Sequence, residues 1–177
     1  MARYGHLVDD VTSYECRCCG ERHEGIPFSY GTIAPAIWND SLVDDGRSAL
    51  TEDLCVIQGQ HCFVRARIVI PVIDTDEEFD WGVWVSLSQT NFERTSDLWT
   101  TPGREQEPPY FGWLSTEIPI YRPTTLGLRT RVHTQPVGRR PVVELEPTDH
   151  PLAVEQRTGI TMARVQQIAE EELHLQT

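Results

Sequence analysis

The chain has 177 residues, 39% of them hydrophobic and 24% charged, which suits one globular domain and excludes wholesale disorder. A net charge of −12 and a pI near 4.8 argue against a nucleic-acid backbone or an anionic membrane surface as partner. All 15 basic residues are arginines, which rules out Schiff-base chemistry on a lysine of this chain.

No apolar run approaches the roughly 18 residues that a bilayer span needs, so no membrane segment is expected. The opening residues lead to Asp9 and Asp10 rather than to an apolar signal core. Five cysteines, clustered as Cys16, Cys18, Cys19, Cys55 and Cys62, are unlike a secreted disulfide framework. The expected setting is the cytoplasm, with reduced thiols.

Residues 1–13 are polar and expected to be loose, and 14–25 hold the first cysteines and a glycine turn. Residues 26–48 are broken by Pro27, Gly31, Pro35 and Gly46, with a short helix expected over 36–42. A strand over 54–57 and a turn at 58–60 lead into 61–73, where Cys62, Val64, Ala66, Ile68, Ile70 and Val72 alternate with Arg65 and Arg67. After an acidic turn, 80–88 alternates again through Trp81, Val83, Val85 and Leu87, with Trp84 on the other face. Ser88 is placed to cap a helix running to about Trp99.

A loop over 100–109 precedes strands at 110–115, 124–133 and 142–146, the last after a turn at 136–140. The tail is helical. Thr148 or Asp149 caps a first helix that begins at Pro151 and stops at Gly159. Thr161 caps a second, with Met162, Val165, Ile168, Ala169 and Leu173 on one stripe and Glu170-Glu171-Glu172 as a solvated face. Strands first and helices last predict one α+β domain over 1–177: an antiparallel sheet, C-terminal helices packed on it, and an N-terminal turn like a metal knuckle.

Chemistry concentrates in Cys16-Arg17-Cys18-Cys19-Gly20. Two thiolates in C-x-x-C are half of a tetrahedral zinc site, and a glycine directly after lets the chain turn sharply. The other half is open among His23, Cys55, Cys62 and Cys18, and the competing reading makes Cys55 and Cys62 buried apolar side chains. A zinc held by such ligands is structural, because a closed thiolate-rich set leaves no position for substrate. The retroviral-type knuckle spacing is not met, and no strand precedes the C-x-x-C as a thioredoxin-like redox motif requires.

Other constellations are weaker. Asp149-His150 resembles a carboxylate orienting an imidazole, against the simpler reading of a helix cap beside a packed histidine. Arg65 and Arg67 with Trp84 and Trp113 form a candidate pocket for an anion, with His150 as a base. No G-x-S-x-G, P-loop or G-x-G-x-x-G is present, and catalytic residues are unassigned.

Several stretches together resemble a bacterial family of domains of unknown function: Cys16-x-x-Cys19-Gly20-x-x-His23, Asp53-Leu54-Cys55, the run from Trp81 to Ser86, Gly112-Trp113-Leu114, and Asp149-His150-Pro151-Leu152-Ala153. The resemblance implies one domain and makes Cys16, Cys19, His23 and Cys55 the metal set, ahead of Cys62 and Cys18. It brings no activity. The expected function is a zinc-stabilised protein-interaction domain with a protein partner. The rivals are an enzyme or small-anion binder built on the Arg/Trp pocket, and an immunity-like protein that binds a basic partner.

Overall fold

The computed structural model describes residues 13–175, so the expectation for 1–13 falls almost wholly outside the described residues. Its frame is two long strands, β6 (His61–Pro71) and β7 (Glu78–Leu87), paired antiparallel from Cys62↔Leu87 to Pro71↔Glu78. Their period of two is the reason. Val64, Ala66, Ile68 and Ile70 on β6, and Phe79, Trp81, Val83 and Val85 on β7, are at most 2% exposed and belong to one core.

Three shorter strands close this ribbon on itself: β8 (Tyr110–Leu114), β9 (Arg129–His133) and β10 (Val142–Leu145). β8 runs antiparallel to the second half of β7, β9 to β8, and β10 to β9. β10 then lies parallel to β6 at Val142↔Arg67. The result is a closed, mixed barrel of five strands, β6 to β10, which corrects the open antiparallel sheet expected from the sequence. The physical cause is length. β6 and β7 have 11 and 10 residues, enough for each free edge to serve two neighbours. The first half of β6 takes β5 (Leu54–Ile57), to which β4 (Ala49–Leu50) is added. The first half of β7 takes β3 (Ser29–Gly31) in parallel.

Helices are a minor part. Ser88 caps α1 (Gln89–Asp97) as expected, its Oγ accepting from Asn91 N–H at 3.3 Å. The helix expected over 36–42 is one 3-10 turn, Asp40–Leu42, and the strand expected over 124–133 is paired only from Arg129. α2 (Pro151–Thr158) and α3 (Met162–Leu175) do not lie on an open sheet; their Leu152, Ala153, Val165, Ile168 and Ala169 enter the same core as the inward strand residues. Gly159 makes the turn between them. It sits at φ +76°, where a Cβ would lie 2.9 Å from the Pro71 carbonyl oxygen, while Ile160 N–H donates to that same oxygen.

A second, smaller core holds Leu42, Cys55, Ile57, Phe63 and Trp84. Finally, β1 (Tyr14–Glu15) and β2 (Arg22–His23) form a separate hairpin with Tyr14 opposite His23.

Candidate metal site

The hairpin of β1 and β2 is built around its turn. Cys16 N–H donates to Glu21 O and Gly20 N–H to Cys16 O, both at 2.8 Å, with Gly20 at φ +73°. This left-handed residue reverses the chain without strain, as only glycine does readily. The reversal turns amides onto sulfur: those of Cys19 and Cys18 onto Cys16, and that of Glu21 onto Cys19. Donors aimed this way stabilise thiolates, and they are the local geometry of a metal knuckle.

The last helix completes the cluster. Glu170 and His174 share a face of α3, four residues apart. Glu170 Oε1 accepts from Arg17 N–H at 3.2 Å, and His174 Nε2 lies 3.3 Å from Cys16 Sγ. Cys16 is 1% exposed and common to two triads of potential ligands: Cys16, Cys19 and His23, and Cys16, Cys18 and His174. Within each triad the ligand atoms are no more than 4.8 Å apart. His23 Nε2 is 3.8 Å from Cys19 Sγ, and its ring packs on Tyr14.

Electrostatics single out Cys16. The His174 imidazole is the main cause that lowers its thiol from 9.0 to about 6; burial opposes this, and the Cys19 and Cys18 amides assist. The other two thiols move up. Burial and the neighbouring Cys16 raise Cys18. In Cys19 the Glu21 amide pulls down, but burial and Cys16 outweigh it. Three sulfurs this close resist sharing negative charge unless a cation is among them.

Of the residues expected to bind metal, the structure brings Cys16, Cys19 and His23 together and leaves Cys55 out. Cys55 lies on β5 in the smaller core, 1% exposed, against Phe63 and Trp84. Burial, with a smaller contribution from Cys62, pushes its thiol up to about 12. Cys62 is also buried and raised, chiefly by burial. Both follow the apolar reading. The side chain that does lie beside Cys16 is His174, which sequence reasoning missed. The one available signal was its spacing from Glu170 on the polar side of the stripe. The solvated acidic face is likewise corrected: Glu170 is 3% exposed and Glu172 is 1% exposed.

The Arg/Trp pocket is not assembled. Trp84 is fully buried in the smaller core, its indole N–H donating to Thr32 O at 3.2 Å. Trp113 is on the outer face of β8, 42% exposed, beside Phe111 and under Arg129. Arg67 forms an ion pair with Asp80 at 2.8 Å. His150, not Asp149, caps α2: its Nδ1 accepts from Leu152 N–H at 3.2 Å, and Nε2 lies 3.0 Å from Pro123 O. With both ring nitrogens engaged, His150 is a structural histidine rather than a base.

Fold and site together define a closed mixed β-barrel carrying a cysteine knuckle that is fastened to its last helix. The chain belongs to DUF2199, described as an uncharacterized protein conserved in bacteria, whose family model matches residues 15–160. That span includes the knuckle from Glu15 through His23 and ends before α3. No curated protein and no solved structure matches the chain. No helix among the described residues is long and apolar enough to cross a membrane.

Proposed function

We propose that this bacterial domain is a zinc-stabilised protein-interaction module of the cytosol, in which the metal joins the N-terminal knuckle to the last helix. Cys16, Cys19 and His23, one of the two triads, are the first three ligands, and His174, which meets Cys16 in the other triad, closes in as the fourth on metal binding. The observation that carries the reading is the position of Cys16: buried, surrounded by amide donors, and shared by both ligand triads. Sulfur and imidazole together suit zinc. A four-ligand set leaves no open position, so the metal's work is structural: it holds β1 and β2 against α3.

Two further features support the rest of the proposal. All five cysteines are free although three cluster in the knuckle, which suits a reducing compartment. On the outer face of β8, Phe111 and Trp113 are 46% and 42% exposed and meet edge to face at 5.2 Å, with Arg129 over Trp113. Aromatic residues and arginine are the side chains that dominate protein interfaces.

Elemental mass spectrometry of purified protein tests the metal. The expected result is one zinc per chain, absent from Cys16→Ser. No metal in either protein, with equal thermal stability, would sink the proposal. For the interface, a double substitution of Phe111 and Trp113 by serine is expected to abolish partner capture while leaving zinc content unchanged.

A further inference from the structure

Beside β6 lies a cavity of about 470 Å³, lined by Arg67, Trp99, Arg104, Arg139 and Arg140 together with Glu52 and Asp53 and by no residue of the knuckle. That volume is within the range of small-molecule sites. Four of the 15 arginines of a strongly acidic chain meet there.

The four are not alike. Arg140 is held by Asp53 at 2.6 Å and Glu52 at 2.7 Å, and Arg67 by Asp80. Their charges are matched, and both carboxylates of the wall are engaged. Arg104 differs: it is 3% exposed, yet forms no ion pair among the described residues. Its hydrogen bonds all run to neutral acceptors, the carbonyls of Gln135, Trp99, Pro136 and Arg139. Those four bonds leave one Nη1 N–H with no acceptor among the described residues. Arg139 is exposed, and its guanidinium has no partner among the described residues.

Burying a guanidinium against carbonyls alone is unfavourable for its charge. Here it organises the site. The Arg104 fork gathers the 135–139 loop and the turn after α1 around one point, and its Cζ lies over the Trp99 ring, 4.8 Å from the centroid. The result is a preset wall with an aromatic surface and two guanidiniums that form no ion pair among the described residues; burial lowers the Arg104 pKa, and the nearby Glu105 and Asp53 offset this only in part.

We propose that this cavity binds a small organic oxyanion, a carboxylate or a phosphate ester, held by Arg104 and Arg139 beside the Trp99 ring. The carboxylates of Glu52 and Asp53, engaged by Arg140, line another part of the wall. A bidentate, charge-assisted pair from Arg139 and the one remaining Nη1 N–H of Arg104 provide the affinity.

The test is titration of the full chain with inorganic phosphate and with citrate, at constant ionic strength set by sodium chloride. The readout is the NMR shifts of the Trp99 indole and the Gly138 amide. Saturable binding of at least one probe at these residues is expected, weakened about tenfold in Arg139→Ala, the loss of one charge-assisted contact. Saturation by phosphate alone assigns the phosphate class, and by citrate alone the carboxylate class. Because Arg139 is exposed and its side chain supports nothing, this variant folds normally. Arg104→Lys keeps the charge, loses the fork, and is expected to bind more weakly still. The proposal is overturned if neither probe saturates below about 10 mM, if Arg139→Ala binds like wild type, or if sodium chloride reproduces the shifts.

Discussion

Two groups of cysteines in this molecule have the same chemistry and opposite surroundings. Cys16 is as buried as Cys55, each 1% exposed. Around Cys16 are an imidazole and backbone amides, and its thiol moves down to about 6. Around Cys55 are Phe63, Trp84 and Ile57, and its thiol moves up to about 12. Burial alone therefore does not decide what a cysteine is for. The donors that accompany it do.

The sharpest way to break this contrast is to remove the imidazole. His174→Ala is expected to weaken zinc binding by at least about 10- to 100-fold, the cost of losing even an outer-shell partner of a ligand. In metal-free protein, thiolate absorbance should then lose its step near pH 6. The sign follows from the direction of the shift. Because the folded chain favours ionised Cys16, the contact stabilises fully above pH 9, the ordinary thiol value of 9.0, and its contribution is lost as pH falls through about 6. An unchanged titration in His174→Ala would remove the imidazole as the cause.

Cys55→Ser tests the other side. It places a hydroxyl among apolar side chains, and destabilisation of roughly 2 kcal/mol is expected in urea unfolding, with zinc content unchanged. Loss of metal in this variant would return Cys55 to the ligand set. The smallest effect is expected at the turn itself. Gly20 has open space around it, so Gly20→Ala strains only its left-handed backbone. A loss of about 1 kcal/mol is expected, with modestly weaker zinc binding. Chelator competition measures the latter.

The knuckle was legible in the sequence because it is local: Cys16, Cys19, Gly20 and His23 lie within a single hairpin, and each residue type has a geometric reason to be there. β6 and β7 were legible for a similar reason, since their alternation records which face is buried. The closure of the barrel was not. It depends on which backbone edges meet, and backbone hydrogen bonds leave no pattern in side chains; the joining contact, Val142 against Arg67, involves a strand of four residues. His174 was hidden by distance, 158 positions from the thiol it meets. The cavity arginines were hidden by their partners. Nothing in the sequence separates Arg104, bonded to carbonyls, from Arg140, bonded to acids.

Barrel closure also bears on how this chain behaves when concentrated. Its longest strands are rich in valine and isoleucine, a composition that invites stacking into fibrils when left uncovered. Here the central strands are paired on both sides. Among the described residues, the strands at the margins of the large sheet are β3 and β4, of three and two residues. Margins that short offer the strand of a second molecule almost no template to add to.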